Sequence, residues 1–450
     1  MTLEEALTGW LPGQRWFAGK GAPIDGLAIV ADTLLVEGDP GLRHLIVAVS
    51  QAGGTDRYQL LVGLRTAIPD RLEHAVIGPA GDAQPGQAWV AYDALHDPPL
   101  TRRLLEAMAG QETIGPVSFA AEPDAAIDTG LDSLVLTGEQ SNTSMIFGEE
   151  AILKVFRRPH PGPNPDLEIP RALHRAGSPH VAPPLGWLET ALEGEATILA
   201  ILSAYLRAAT DGWLLAATSV RDLYASDVTS AAEAGGDFAA EAHRLGEATA
   251  EVHRALADAF GTDELPASAY REMAAQMRDR LGVTVAAVPE LARHARLLDE
   301  AFTELAAVDE PLTVQRIHGD YHLGQVIRTQ AGWVLLDFEG EPAVPLAQRR
   351  ALAPALRDVA GMLRSLDYAA RHQLPGQTDP EHARAAAHDW VSRNQAAFCA
   401  GYAQAGGTDP GKHGVLLRAL TLDKAVYEVM YEASHRPSWL SIPLDSIADA

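Results

Sequence analysis

A single cysteine, Cys399, stands in a chain of 450 residues. One thiol closes no intramolecular disulfide and builds no cysteine-rich zinc site. Its neighbours, Ala396-Ala397-Phe398 and Ala400-Gly401, are small and apolar, the setting of a buried structural thiol. Basic residues are also scarce: 35 Lys plus Arg face 60 Asp plus Glu, for a net charge of −25. A surface that negative repels nucleic acid and anionic lipid, because both binding modes rest on basic neutralisation of phosphates. A small anionic substrate is not excluded, since it needs only one local basic pocket. No apolar run approaches the ~20 residues of a membrane span. The start, Met1-Thr2-Leu3-Glu4-Glu5, is acidic where a signal peptide is basic and then apolar. A cytoplasmic enzyme is expected.

What is present is ordinary for a globular chain: 47% hydrophobic and 21% charged residues. The length exceeds one hydrophobic core and favours two or three domains. Leu27 to Val36, Leu42 to Ser50 and Tyr58 to Leu64 are strand-like, the last two joined across Gly53-Gly54-Thr55-Asp56, a hairpin signal. Thr101 to Ala109 reads as a helix and Gly110 to Pro123 as an exit segment. A second β-rich stretch follows, with strands at Ser133 to Thr137, Thr143 to Phe147, Ala151 to Phe156 and Ala196 to Leu202. From Trp213 onward apolar residues recur at three- and four-residue spacing, which predicts helices over Ala240 to Phe260, Ala267 to Leu281, Leu291 to Ala307 and from Leu356 to about Ala433. Short strands interrupt them between Val314 and Phe338. The expected boundaries are 1–125 for an N-terminal domain, 126–206 for a β-rich lobe and 207–450 for a helical lobe.

The chemistry concentrates in His318-Gly319-Asp320-Tyr321-His322-Leu323-Gly324-Gln325-Val326, followed by Trp333-Val334-Leu335-Leu336-Asp337-Phe338-Glu339-Gly340. A base carboxylate, an amide five residues later and a carboxylate opening an Asp-Phe motif follow the order of a phosphotransfer catalytic loop. Asp320 would orient and deprotonate an acceptor hydroxyl. Gln325 and Asp337 would supply oxygen ligands to Mg²⁺, a hard cation that binds alongside nucleotide phosphates. Gln replaces the Asn of protein kinases, and Glu339 stands where their motif closes on Gly; both departures point to small-molecule kinases. His318 and His322 do not make a zinc helix, because Gly319 follows His318 in place of a glutamate.

Upstream, Gly138-Glu139-Gln140-Ser141-Asn142-Thr143-Ser144 is a small polar turn between strands whose amides and hydroxyls suit phosphate oxygens. Ser141, Asn142, Thr143 and Ser144 are the candidate contacts, although an ordinary hairpin turn has the same composition. Lys154 lies inside an apolar strand, costly unless paired, and an α/β-phosphate contact would explain it. Its expected partner is Glu168, within Asn164-Pro165-Asp166-Leu167-Glu168-Ile169. Ser203 to Leu206 ends the strand from Ala196 and would be the interlobe hinge, with Ser203 and Tyr205 presenting groups to adenine.

Together these residues resemble the actinobacterial maltokinases, relatives of the aminoglycoside phosphotransferases, over nearly the whole chain. Trp10-Leu11-Pro12-Gly13-Gln14-Arg15-Trp16-Phe17-Ala18-Gly19-Lys20 is similar to the start of that family's N-terminal cap domain. Gln140 to Ser144, Asn164 to Glu168, His318 to Val326 and Asp337 to Pro342 resemble its phosphate loop, post-lysine segment, catalytic motif and metal motif. Lys424-Ala425-Val426-Tyr427-Glu428-Val429-Met430-Tyr431-Glu432, running on to Arg436-Pro437-Ser438-Trp439, resembles its last helix. The resemblance implies an α+β, bilobal protein-kinase-like (aminoglycoside phosphotransferase-like) fold with a β-rich cap. It also implies ATP as co-substrate with Mg²⁺, and phosphorylation of maltose at its anomeric hydroxyl to give maltose 1-phosphate for α-glucan (glycogen) synthesis. The acceptor site would comprise Asp320, His322, Glu428, Glu432, Arg436 and Trp439. Glu428 and Glu432, four residues apart, share one helical face, and Trp439 suits a pyranose face.

Two alternatives stay open within this frame. Related glucosamine kinases share the architecture, and a carboxylate-rich pocket suits an ammonium sugar; Ala353-Pro354 also stands where the family usually has Ser-Pro before Leu356-Arg357-Asp358. A catalytically silent kinase-like module is a different class, opposed by the joint presence of Lys154, Asp320, Gln325 and Asp337. An aminoglycoside kinase would suit the negative charge, but the cap and last helix favour a sugar. The expected partners are the sugar and ATP, with no nucleic acid and no membrane, in a monomer or homodimer.

Overall fold

Alternating apolar residues in the N-terminal third build a sheet buried on both sides. After α1 (Leu3–Trp10) come β1 (Gly26–Val36), β2 (Gly41–Gln51), β3 (Gly54–Arg65), β4 (Val76–Gln84) and β5 (Gln87–Asp93), ordered β1-β2-β3-β5-β4. The computed structural model describes residues 2–449 apart from 85–86, 139–140 and 342–343, with backbone alone over 81–84 and 87. Thr2 caps α1, its hydroxyl accepting from the Glu5 amide while the Glu5 carboxylate accepts from the Thr2 amide. Successive β2 side chains point to opposite faces. Leu45, Val47 and Val49 pack with Leu3, Leu7, Trp16 and Phe17, whereas Leu42 and Ile46 join the other core.

That other core continues into a second sheet of the same unit. α2 (Pro98–Ala109) is followed by β6 (Thr113–Ile114), β7 (Val117–Ala121), β8 (Ser133–Val135), β9 (Thr143–Phe147) and β10 (Ala151–Val155). Beyond α3 (Pro165–Arg175) lie β11 (Pro184–Leu192) and β12 (Glu195–Ala204), completing the order β6-β7-β11-β12-β10-β9-β8. Leu104 and Met108 of α2 pack with Phe119, Leu153 and Leu202. The segment 110–123, read as an exit, therefore contains a hairpin, and β7 pairs with β11. Gly115-Pro116 is a tight turn, and the strands flanking it are too short to show a period.

Buried polar groups tie the two sheets of this unit. The Gln59 amide donates to the carbonyls of Phe156, at 2.7 Å, and Leu199, while its oxygen meets His44 Nε2 at 3.0 Å. Arg157, 1% exposed, donates to Asp93 at 2.5 Å and to the Thr143 hydroxyl at 2.8 Å, with its guanidinium 4.5 Å from the Trp16 ring centroid.

The first compact unit spans 1–168 and 182–207, and the second 169–181 and 208–450. The second is helical: after β13 (Thr210–Asp211) it holds α4 (Gly212–Tyr224), α5 (Ala239–Phe260), β14 (Thr262–Leu265), α6 (Ser268–Ala287), α7 (Ala295–Ala306), β15 (Leu312–Gln315), β16 (Val326–Arg328) and β17 (Trp333–Leu335). α8 (Leu346–Arg349), α9 (Leu356–Arg371), α10 (Pro380–Gln404), α11 (Gly414–His435) and α12 (Ser441–Ala448) follow. Asp379 caps α10 at the His382 amide, with Pro380 at its first position. α5 and α10 cross at backbone contact. A Cβ on Gly246 would lie 2.1 Å from the Phe398 carbonyl oxygen, and one on Gly401 2.0 Å from that of His243. Cys399 sits at this crossing, its thiol pushed up to about 11 by burial, in keeping with an unreactive structural role. Among the described residues no helix is long and apolar enough to cross a membrane.

Candidate active site

The segment 316–325 leaves β15 as an irregular loop and is held by side chains from neighbouring helices. Asp358, in the first turn of α9, accepts the amides of His318 at 2.7 Å and Gly319 at 2.9 Å. His253 of α5 approaches the same carboxylate at 3.0 Å and meets the Tyr402 hydroxyl at 2.8 Å. Burial pushes the Asp358 carboxyl up, but the His253 hydrogen bond, the charges of His253 and His318 and the Gly319 amide together hold it below the usual carboxylate range. Gly319 takes φ +87°, a left-handed conformation that glycine adopts without strain. Ser365 accepts the Leu323 amide at 3.0 Å, and Tyr321 buries its hydroxyl on Thr249 at 2.7 Å. A Cβ on Gly361 would come within 2.5 Å of the Tyr321 carbonyl, so only glycine lets α9 approach this closely.

His318 is a structural residue. Its buried ring meets the Leu336 carbonyl through Nε2 at 2.8 Å and packs on Phe338 with centroids 4.9 Å apart. Asp320 remains partly exposed on the loop, with Lys424 Nζ 4.0 Å from its Oδ1. Burial holds His322 below its ordinary pKa, against the pull of Asp320. Its Nδ1 accepts the Gly324 amide at 3.1 Å and so caps the turn that carries Gln325.

Gln325 and Asp337 meet: the amide nitrogen donates to Asp337 Oδ2 at 3.3 Å. Asp337 follows β17 with φ +59°, a left-handed conformation uncommon for a non-glycine residue, which costs on the order of 1 kcal/mol. A half-turn of the amide would present Oε1 beside the carboxylate, so these two donors fit a hard divalent cation.

A cavity of about 690 Å³ opens beside Asp320 and His322. Its far wall is α11, which presents Lys424, Tyr427, Glu428, Tyr431 and Glu432 on one face, with Arg436 and Trp439 just beyond. Neither glutamate is a solvated surface group. Arg364, 3% exposed, donates to Glu428 at 2.9 and 2.7 Å and to Asp367 at 3.0 Å. Arg436 donates to both oxygens of Glu432, at 2.9 and 2.7 Å, and Tyr368 approaches it at 3.3 Å. Burial pushes the Glu428 carboxyl above its ordinary value although Arg364 opposes it. The Arg436 guanidinium lies 4.5 Å from the Trp439 ring. His372 links Trp439, at 5.9 Å, to Trp213, at 4.9 Å, in one aromatic wall. Asp358, Arg364, Trp213 and Lys424 were missed by the site reading. Lys424 alone left a signal, one helical turn before Glu428.

The residues expected at the nucleotide lie in the first unit. Lys154, in the middle of β10, bonds Asp166 at 2.9 Å. Asp166 precedes the expected partner by two residues; Glu168 stands in the same helix, α3, which tolerates Pro170 in its interior. Thr143 and Ser144 are buried in β9, Asn142 is buried beside them and Ser141 is exposed. The Thr143 hydroxyl accepts from Arg157 Nε at 2.8 Å. Glu139 and Gln140 lie outside the described residues. Ser203 pairs with Ile152 within the sheet, and the Tyr205 amide bonds the Glu150 carbonyl at 2.8 Å.

This is a protein-kinase-like phosphotransferase fold with a β-rich cap. Residues 10–97 match the maltokinase N-terminal cap domain. The chain is 32% identical to a glucosamine kinase of Streptacidiphilus jiangxiensis over 351 residues, 73% of this chain and 77% of the relative. It is 32% identical to a glucosamine kinase of Mycolicibacterium smegmatis over 321 residues, 68% and 77% of the two chains. A solved glucosamine kinase in complex with glucosamine, ADP and inorganic phosphate is 25% identical, with 99% and 98% coverage and a TM-score of 0.69. The chain belongs to the actinobacterial family of maltokinases and related glucosamine kinases, within the aminoglycoside phosphotransferase-like sugar kinases. It is an ATP-dependent enzyme that phosphorylates a sugar.

Proposed function

We propose that the acceptor is maltose, phosphorylated at its anomeric hydroxyl to give maltose 1-phosphate for α-glucan synthesis. One observation carries this choice: both glutamates that α11 presents to the 690 Å³ cavity are already matched by arginines, Glu428 by Arg364 and Glu432 by Arg436. Such a wall offers fixed hydrogen-bond acceptors without a free negative charge, which suits a neutral polyol better than an ammonium. Its volume accepts two pyranose rings, and Trp213 and Trp439 supply aromatic faces for them.

In this reading Asp320 accepts the anomeric proton as the sugar oxygen forms its bond to the γ-phosphorus of ATP. The bond from γ-phosphorus to the bridging oxygen breaks, and ADP leaves. Asp358 fixes the loop so that Asp320 keeps its aim. His322, held neutral by burial, orders the Gly324 turn beneath Gln325. Gln325 and Asp337 would hold Mg²⁺, whose charge offsets that of the phosphates. Lys154, positioned by Asp166, would contact the nucleotide phosphates, with Ser141, Asn142, Thr143, Ser144, Glu168, Ser203 and Tyr205 around the nucleotide. A cap over 1–125, a nucleotide-binding lobe over 126–206 and a catalytic lobe over 207–450 complete the proposal.

Glucosamine is the second reading, favoured by the names of the relatives. The test is ADP release with ATP and Mg²⁺ against maltose, glucosamine, glucose and an aminoglycoside, with the product position assigned by NMR. Maltose 1-phosphate is expected. Turnover of glucosamine to the 6-phosphate would keep the catalytic assignments and replace the acceptor. ATP binding without any turnover would favour a silent module.

A further inference from the structure

Lys424 stands where the acceptor cavity meets a second, polar cavity of about 470 Å³, and both are bounded by Asp320. Three of the carboxylates that line these cavities with Lys424 are engaged elsewhere. Glu428 is held by Arg364 at 2.7 Å, Asp423 by Arg280 at 2.9 Å, and Glu341 by the Tyr427 hydroxyl. Among the described residues Asp320, at 4.0 Å, is the carboxylate that forms an ion pair with Lys424; the Tyr427 ring lies 4.7 Å from the ammonium, and His322 feels its charge. When Asp320 takes up the acceptor's proton it loses its charge, and the lysine loses its ion-pair partner beside the attacking oxygen.

We propose that Lys424 is a specificity-determining residue that bars a charged amino group from the carbon next to the attacking hydroxyl. The inference rests on reading the 690 Å³ cavity as the acceptor site. The attacking hydroxyl must approach Asp320 within hydrogen-bond distance, ~3 Å. With the 4.0 Å from Asp320 to Nζ and the short span between vicinal heteroatoms, a substituent on the adjacent carbon then lies at most roughly 10 Å from Nζ. Two cations at that separation in a partly desolvated pocket repel enough to cost on the order of 10–100-fold in turnover. The lysine therefore admits neutral sugars at the anomeric position and rejects 2-amino sugars there. An amino sugar reacts only through a hydroxyl remote from its nitrogen, such as that on C6.

The test compares the wild type with Lys424→Met and Lys424→Arg on glucose, maltose and glucosamine at pH 6.5, where the sugar amine is charged. The readouts are the ratio of kcat/KM for glucosamine over each neutral sugar and the product position by NMR. Lys424→Met is expected to raise the ratio at least ~10-fold and to admit glucosamine 1-phosphate, while Lys424→Arg keeps the wild-type ratio. An unchanged ratio, or an equal loss on all three sugars, would overturn the proposal. If the wild type turns over no sugar, the acceptor reading itself has failed. The same ratio is then read from sugar affinities by calorimetry, and an identical ratio in wild type and Lys424→Met again rejects the role of Lys424.

Discussion

His253 and Asp358, 105 residues apart in sequence, share a buried hydrogen bond of 3.0 Å, and the same carboxylate holds the loop bearing Asp320 through two amides. Removing the carboxylate frees the loop without touching substrate. Asp358→Asn is expected to lower kcat by about 10–100-fold with little change in the KM for sugar, because a displaced base impairs the chemical step more than binding. Steady-state kinetics separate the two. A change confined to KM would reject a positioning role.

Asp320→Asn tests the base directly. The amide keeps the size and loses the proton acceptor, so turnover should fall at least ~100-fold while ATP affinity stays near that of the wild type. Near-full turnover would remove Asp320 from its assigned role.

Arg364 serves the cavity from below. Replacing it by methionine leaves Glu428 without its cation and Asp367 with Arg371 alone, a loss of about 3–5 kcal/mol. Chemical denaturation is expected to show this loss for Arg364→Met, and Glu428→Gln should be milder because the amide still accepts from Arg364. Equal stability of Arg364→Met and wild type would show the network to be energetically idle.

The first unit carries its own pH signature. Burial lowers His44 from 6.5 to about 4, opposed by its hydrogen bond to Gln59. The folded chain keeps the ring neutral in a range where the unfolded chain protonates it. Its contribution is complete above pH 6.5 and is lost as pH falls from there through about 4. The total is about 3 kcal/mol, at roughly 1.4 kcal/mol per unit. Urea midpoints measured from pH 7 to 4.5 should fall more steeply for the wild type than for His44→Gln. Parallel slopes would contradict the assignment.

The sequence announced local features and hid distant ones. The run Ala151 to Phe156 marked a strand because apolar and β-branched residues surround one lysine, and β10 lies there. The order Asp320, Gln325, Asp337 was visible because one loop and one strand end hold all three. β4 escaped notice because Gly78, Pro79 and Gly81 punctuate it, and β7 because its period is confined to five residues. Arg364 lies 64 positions before Glu428. A pair at that separation leaves no mark in any local spacing, so the arginine that compensates Glu428 was not foreseen. The hydrogen bond from Arg157 to Thr143 was hidden too, because it reaches across neighbouring strands.

The crossing of α5 and α10 has a bearing on the loop bearing Asp320 that its position, away from the 690 Å³ cavity, would not suggest. α5 carries His253 and α10 carries Tyr402, and these two side chains grip each other at 2.8 Å behind Asp358. A methyl group added at Gly246 would fall 2.8 Å from the Tyr402 amide nitrogen as well as against Phe398. The helices would part, Tyr402 would withdraw from His253, and the disturbance would pass through Asp358 to the loop bearing Asp320. The absence of one side chain at position 246 thus acts as a spacer gauge for a loop two shells of packing away.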